Sequence, residues 1–238
     1  MKQPSFQDSN RAGGFTLVEL LTVIAIIAIL SALAVPMFTS LKKATDLTVS
    51  TAAIVSLLEQ GRAYAMANNT YVFVCFEETD FTTPSTQAQI PGTGRVAVQV
   101  FYSLDATLNL APSNLAAVSR MQVFNGLDMP ESLGSTTGNL STRPTASYIV
   151  GSNNGSTQFP PSASTITPIT SGNFTFTKII AFDSRGELHI PVSPPVVGLQ
   201  YLEIDLQQSS GNIAPTAAKN QSAIQVDGLT GAVTTYRS

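Results

Sequence analysis

The apolar stretch at residues 20–41 constrains the fold of this 238-residue chain more than any other feature. It contains no Asp, Glu, Lys or Arg. As an α-helix it is long enough to cross a hydrocarbon layer of about 30 Å, so it predicts a membrane-spanning helix. The flanking charges do not set its orientation, because Lys2 and Arg11 precede it while Lys42 and Lys43 follow it.

Glu19 lies at the edge of this stretch, directly after the residues Gly-Phe-Thr-Leu-Val at positions 14–18. A carboxylate loses hydration when it enters hydrocarbon, so an acidic residue beside a membrane span indicates a function. The alternative is an interfacial carboxylate among the lipid headgroups, where the loss is small.

Residues 14–20, Gly-Phe-Thr-Leu-Val-Glu-Leu, resemble the prepilin signature of the type IV pilin and type II secretion pseudopilin family. The resemblance implies that residues 1–14 are a leader peptide, which a prepilin peptidase removes at the cytoplasmic face by cutting between Gly14 and Phe15. The peptidase would then methylate the new terminal amine of Phe15. The same resemblance implies a cytoplasmic N-terminus, a single pass through the inner membrane and a periplasmic head.

Two further residues take roles from this resemblance. The family's conserved glutamate maps onto Glu19, which in a filament would pair with the terminal amine of a neighbouring subunit. A carboxylate and an ammonium in hydrocarbon are both destabilised unless they meet. Pro36 falls where many pilins carry a helix-bending proline, since proline removes a backbone N–H and clashes with the preceding turn.

An ordinary secretory signal peptide is the competing interpretation. Residues 20–30 would form its apolar core, and Ala-Leu-Ala at positions 32–34 fits a small-residue cleavage site. Cleavage there would release a secreted β-rich binding module that begins at Val35. Under this interpretation the motif at positions 14–20 is accidental.

The helix is predicted to continue beyond the apolar stretch to about Asn68. Small and apolar residues recur there at intervals of three and four, which indicates one buried face of an amphipathic helix: Leu47, Thr51, Ile54, Leu58, Gly61 and Ala65. Asn69 supports the stop, because asparagine tolerates the left-handed conformation that ends helices. We therefore divide the helix into a membrane and assembly segment, 15–41, and an amphipathic continuation, 42–70.

Residues 71–238 are predicted to form a β-rich head. Stretches rich in Val, Ile, Phe and Tyr predict strands at residues 71–76, 95–102, 121–124, 174–182, 199–206, 223–226 and 232–236. No helical patterns alternate with them, which favours antiparallel pairing. The predicted fold class is α+β, with a long helix packed on an antiparallel sheet. An insertion at about 134–173, rich in Ser, Thr, Gly and Pro, predicts a long exposed excursion.

Parts of the head also resemble known groups. Residues 57–75 are similar to the passage from helix to first strand in the minor pseudopilin H and minor pilin T group. Residues 182–188 resemble a strand-turn-strand piece of those heads, and residues 224–237 fit their closing hairpin. The C-terminal part is similar, too, to pilin-like proteins of Verru_Chthon-type cassettes.

Charge argues against nucleic-acid binding. Lys and Arg number 12 against 15 Asp and Glu, for a formal net charge of −3, so few phosphates could be neutralised. Some minor pilins take up DNA through a basic C-terminal patch, whereas here Arg237 stands alone beside Asp227. The sequence therefore lacks the basic patch that a DNA-uptake minor pilin is expected to carry.

Catalytic and metal chemistry has little material in this sequence. Cys75 and His189 are the single cysteine and histidine, which excludes an intramolecular disulfide and any site built on several of either residue. Asp183 and Ser184 lie close to His189 in sequence, but on a predicted hairpin rather than in a nucleophile site. The acidic residues Glu77, Glu78 and Asp80 leave calcium binding open, although a solvated loop is the simpler interpretation.

The sequence thus predicts a non-enzymatic pilin-like subunit without a cofactor. Its expected partners are the prepilin peptidase, an inner-membrane assembly platform, other pilins and membrane lipid. Type IV pilus, type II secretion pseudopilus and cassette-specific filament stay open as its assembly.

Overall fold

The computed structural model describes residues 16–133, 138–151, 158–161, 165–215 and 220–238, and it leaves the side chains of residues 32–44 outside the description. The predicted leader, 1–14, therefore lies outside the described residues. The chain divides into two units, Met1–Lys42 and Lys43–Ser238.

One helix, α1 (Leu17–Asn68), covers the region for which the sequence predicts a helix. Its end confirms the expected stop. Asn69 has a φ of 49°, and the backbone N–H of Thr70 donates to the carbonyl of Ala65 over 3.3 Å. This is the Schellman arrangement, which satisfies a carbonyl that the helix itself leaves unpaired.

The second unit buries one face of α1 against the sheet, and all six residues of the predicted stripe are buried there. Gly61 lies where the helix approaches the strands most closely. A Cβ atom at this position would lie 3.1 Å from Cγ2 of Val74 and 3.4 Å from Cγ1 of Val72. The helix can therefore pack at this distance because residue 61 has no side chain.

The strands of the head are β1 (Val72–Asp80), β2 (Gly94–Ser103), β3 (Leu115–Ala117), β4 (Gln122–Asp128), β5 (Tyr148–Ile149), β6 (Ile169–Ser171), β7 (Phe174–Phe176), β8 (Lys178–Phe182), β9 (Leu188–His189), β10 (Tyr201–Gln208), β11 (Gln221–Asp227) and β12 (Val233–Arg237). Two short 3-10 helices lie at Pro112–Asn114 and Gly138–Thr142. Every predicted strand overlaps an observed one. The predicted strand at 174–182 is divided at Thr177, whose backbone N–H donates to Glu77 rather than to a strand.

The large sheet has the order β12-β11-β10-β4-β2-β1-β8-β9, with β3 paired to β2 and β5 paired to β10. The pairings are antiparallel except β5 with β10, while β6 and β7 form a separate hairpin. The α+β class and the largely antiparallel sheet are as predicted.

The insertion at 134–173 differs from the exposed excursion that its composition predicts. Its described residues place Leu140, Ile149, Val150 and Phe159 in buried positions. Few apolar residues are present, but Val150 and Phe159 join the main core, and Leu140 packs in a smaller cluster with Leu133 and Ala223. The average composition of the segment did not reveal this arrangement.

A buried ion pair fastens the start of this insertion to the sheet. Arg143 Nε donates to both carboxylate oxygens of Glu203, on β10, at 3.0 Å each. The same guanidinium donates to the carbonyls of Leu140, at 2.8 Å, and Leu133, at 3.1 Å. The side chains of Arg143 and Glu203 are only 11% and 2% exposed, so water does not screen the pair.

A second carboxylate completes this network. Asp205, two residues along β10, accepts the backbone N–H of Leu133 over 2.9 Å. Burial raises the pKa of Asp205 well above its ordinary value, and the neighbouring Glu203 carboxylate raises it further. Arg143 therefore compensates negative charge from a strand that lies far from it in sequence.

Candidate functional site

The start of α1 carries a reciprocal capping arrangement. The Glu19 Oε2 atom accepts the backbone N–H of Thr16 at 3.0 Å and its hydroxyl at 2.9 Å. The Thr16 hydroxyl oxygen in turn accepts the backbone N–H of Glu19 at 3.2 Å. Helix N-termini leave N–H groups without helical partners, and a Thr-x-x-Glu capping box satisfies two of them. The carboxylate assigned to filament assembly thus also holds the first turn of its own helix.

Thr16 is the residue that the motif-based analysis overlooked. The spacing of threonine and glutamate at positions 16 and 19 is the sequence signature of a capping box, so the signal was present. Thr22 adds a local bond, because its hydroxyl donates to the carbonyl of Glu19 over 2.9 Å. Glu19 is therefore held by neighbours within its own first turns.

The helix is apolar on all sides after this cap. Every residue from 16 to 31 is exposed, including large side chains such as Leu17, Ile24 and Leu30 at 79%, 58% and 60%. A helix that is apolar all round normally has its surface covered by a larger assembly or by lipid.

Among the described residues, no helix has both the length and the apolar character that crossing a bilayer requires.

The remaining sequence-predicted site residues lie largely beyond the description. Gly14 and Phe15, the predicted cleavage and methylation residues, are outside the described residues. Pro36 lies within the range of α1, but its side chain is also outside the description, so the predicted bend stays a prediction.

The acidic residues considered for calcium do not converge. Glu77 accepts the backbone N–H and the hydroxyl of Thr177 at 2.9 and 2.7 Å, whereas Asp80 accepts those of Thr82 at 2.6 Å each. Glu78 faces Asp128, which also accepts a hydrogen bond from Gln207. Successive residues of a strand point to opposite sides of the sheet, which separates Glu77 from Glu78.

Stability should fall with rising pH because of Glu78. Burial, together with the hydrogen bond and charge of Asp128, raises the pKa of Glu78 from 4.5 to about 9. The folded chain therefore keeps a proton that the unfolded chain releases, so this contribution is complete below about pH 4.5 and is lost as pH rises towards about 9. One such proton gives a slope of at most about 1.4 kcal/mol per pH unit.

Urea unfolding of the full-length chain between pH 5 and pH 8.5 tests this expectation. Glu78→Gln keeps the shape and cannot ionise, so its stability should fall less over that range than the wild type's. Glu59→Gln, at an exposed position on α1, is the matched control and should follow the wild type. Equal slopes for Glu78→Gln and wild type would contradict the assignment.

The hairpin at residues 183–189 matches its predicted form. The backbone N–H of Gly186 donates to the carbonyl of Asp183 over 2.9 Å, and β8 pairs with β9 beyond the turn. Ser184 is exposed, while His189 Nε2 lies 3.3 Å from Asp183 Oδ2. Glu187 joins these two residues as a third potential metal ligand, which sequence inspection did not single out.

Comparisons with known proteins agree with the motif at the N-terminus. Residues 9–35 match the family model described as the prokaryotic N-terminal methylation motif. The chain is also 45% identical over 62 residues to the type IV wide pilus major component PilA4 of Thermus thermophilus. That alignment covers 26% of this chain and 47% of the relative, so the chain spans about half the length of the curated relative it matches. No solved structure matches the chain significantly.

The motif match contains Glu19 and ends one residue before Pro36, so it includes the capped start of α1. The head lies outside that match. The chain therefore carries the N-terminal methylation motif found in type IV pilins and is a partial homologue of one of them.

Proposed function

We propose that this chain is a non-enzymatic pilin-like subunit of a filament in the cell envelope. The single observation that carries the proposal is a capped helix, apolar on all sides, that begins within the methylation motif. Contact of such a surface with water is unfavourable, so other helices or lipid are expected to cover it. Covering by sister subunits is what a filament core provides.

Processing supplies the second half of the proposed mechanism. A prepilin peptidase cuts between Gly14 and Phe15 and methylates the amine of Phe15. The new ammonium then lies one residue before Thr16, whose N–H already donates to Glu19. Cleavage therefore creates a cation beside the carboxylate of the same helix, which lowers the cost of keeping either charge in an apolar setting.

Assembly then exchanges this local arrangement for one between subunits. In the proposed filament, Glu19 accepts the ammonium of a neighbouring chain, which sets the axial register of the helices. The inner membrane holds the unassembled chain in a single pass with the N-terminus cytoplasmic and the head periplasmic. An assembly platform extracts it from the lipid into contact with other pilins.

We assign the head to the minor pilins and pseudopilins of the H and T type. Its support is the order of elements, in which a helix is followed directly by a Val-rich strand and the chain closes in a C-terminal hairpin. Type IV pilus, type II secretion pseudopilus and cassette-specific filament are the assemblies that such a subunit serves.

The N-terminus of the mature protein tests this function. Intact-mass and N-terminal analysis of chain purified from its native membrane should give N-methyl-Phe15. Gly14→Leu should leave the full precursor, because the bulky side chain blocks the peptidase, whereas Gly13→Ala is the control and should be processed. A mature chain that starts at Val35 would instead identify a secreted binding module and end the pilin interpretation.

A further inference from the structure

Three potential metal ligands meet at the turn between β8 and β9. One ligand atom from each of Asp183, Glu187 and His189 lies within 4.8 Å of those of the other two. Asp183 and His189 are buried at 6% and 7% exposure, and Glu187 is half-buried. Of these three residues, which we call the β8–β9 cluster, only Glu187 is partly exposed to solvent.

Hydrogen bonds from backbone N–H groups fix the Asp183 carboxylate in the β8–β9 cluster. Its Oδ1 atom accepts the N–H groups of Arg185 and Glu187 at 2.8 and 2.9 Å. These bonds leave the Oδ2 atom pointing towards His189. One oxygen thus holds the turn, while the other faces His189 and accepts a bond from the exposed Arg185 side chain.

His189 supplies an independent sign that a ligand belongs here. In the part of the chain that the structure describes, Nδ1 of its ring has no hydrogen-bond partner, and Nε2 has only a 3.3 Å contact with Asp183 Oδ2. The 3.3 Å contact of Nε2 with Asp183 Oδ2 lacks the direction of a hydrogen bond. The ring is fixed from the side by an edge contact with Tyr71, whose centroid is 5.9 Å away. Buried polar nitrogens without partners are rare, because their lost hydration is not replaced.

We propose that Asp183, Glu187 and His189 bind a zinc ion. Zinc holds nitrogen and oxygen ligands at about 2.0 to 2.2 Å in tetrahedral geometry, so two ligand atoms on one ion lie about 3.4 Å apart. The 3.3 Å between His189 Nε2 and Asp183 Oδ2 matches this separation. Glu187 is the third ligand, and water takes the fourth position on the side where Glu187 is exposed.

The ligand set selects zinc over calcium. Calcium takes six to eight oxygen ligands, whereas the β8–β9 cluster offers one imidazole and two carboxylates. Imidazole and carboxylate together suit zinc and related divalent transition metals. A bound ion would tie both ends of the turn together and so stabilise the edge of the sheet.

When no metal is bound, the Arg185 guanidinium is the cation that contacts the two carboxylates. Its Nε lies 3.3 Å from Asp183 Oδ2, and its Nη2 donates to Glu187 Oε2 at 2.8 Å. This side chain is 70% exposed, so it can rotate into water when an ion enters. Zinc and the guanidinium compete for the same two oxygens, and removing the guanidinium should strengthen metal binding.

The single histidine makes a direct test possible. Full-length chain without an affinity tag, kept in detergent, is labelled with ¹⁵N at histidine and titrated with zinc chloride. We expect the two ring ¹⁵N signals of one imidazole, and zinc should shift the Nε2 signal strongly. Equilibrium dialysis should show saturation at one ion per chain. Calcium chloride at the same concentrations should leave the signal in place, and a shift with calcium would overturn the assignment to zinc.

Variants locate the ion. His189→Gln should lower zinc affinity by about tenfold or more, and Glu187→Gln should weaken it as well. Arg185→Gln should tighten it severalfold, while Arg120→Gln removes the same charge at an exposed position elsewhere and should not. Zinc at a hundredfold excess over its dissociation constant should raise Tm by roughly 5 °C in wild type.

Two results would overturn the proposal. One is an imidazole signal that zinc does not shift in the wild type. The other is an Arg185→Gln variant that binds no more tightly than Arg120→Gln. Both measurements remain valid if His189→Gln fails to fold, because neither depends on that variant. Processing at Phe15 is tested separately, so failure here leaves the proposed function standing.

Discussion

Incorporation into filaments is expected to fall by about tenfold or more when Glu19 is replaced by glutamine. Glutamine preserves the capping box with Thr16, because an amide oxygen accepts the same backbone N–H and hydroxyl. It removes only the negative charge, so the methylated ammonium of a neighbouring subunit would enter the filament core without a partner. The measurement is the amount of chain that co-purifies with sheared filaments at matched membrane levels.

Other substitutions in the same turn separate charge pairing from capping. Glu19→Val removes both and should insert and be cleaved normally, since losing a charge eases membrane insertion. Thr16→Val removes the two capping bonds of the hydroxyl but keeps the carboxylate and the backbone bond to it, and Thr16→Ser restores the hydroxyl. If Thr16→Val lowers incorporation while Glu19→Gln stays at the wild-type level, capping rather than charge pairing is the function of Glu19. Wild-type incorporation of both Glu19 variants would exclude the register mechanism.

Replacing Arg143 by methionine is expected to cost about 3 to 5 kcal/mol of unfolding free energy. The substitution keeps an unbranched, apolar stem of similar length but leaves the Glu203 carboxylate buried without its cation. It also removes the donors to the carbonyls of Leu133 and Leu140. Urea unfolding of the full-length chain at neutral pH measures the loss.

Two matched variants show whether burial is the reason. Arg185→Met breaks ion pairs of similar length at a 70% exposed position, and exposed pairs contribute about 0 to 1 kcal/mol. Arg143→Lys retains the charge but not the fixed donor geometry in which Nε is shared between both oxygens of Glu203, so its loss should be intermediate. Equal stability of Arg143→Met and Arg185→Met would contradict a compensating role for Arg143.

Local pattern was sufficient for most of the secondary structure. A stripe with helical spacing predicted the buried face of α1, and paired asparagines predicted its end at Asn68, which the left-handed Asn69 follows. Runs of β-branched and aromatic residues located the strands, because such residues pack well on a pleated surface. The short strands β3, β5 and β6 were not predicted. The prediction for the insertion was wrong in part, because an average composition concealed individual buried residues such as Leu140 and Phe159.

The candidate site at the N-terminus could also be predicted from residues that are close together in the sequence. Thr16 and Glu19 are three residues apart, so their hydrogen bonds depend on one turn of helix and can be recognised from the chain alone. The motif that surrounds them is likewise continuous in sequence, and it is matched by the family model at residues 9–35.

Only the folded head could decide which buried polar groups meet. Glu78 faces Asp128 and Arg143 faces Glu203, although 50 or more positions separate the members of each pair. Glu78 and Asp128 meet because β1 and β4 both pair with β2. Arg143 meets Glu203 because the chain after it pairs with β10 through β5. Periodicity reports which face of an element is buried, but not which distant element covers it. The ion pair of Arg143 and the raised pKa of Glu78 are therefore properties of tertiary packing, whereas the capped apolar helix is written in consecutive residues.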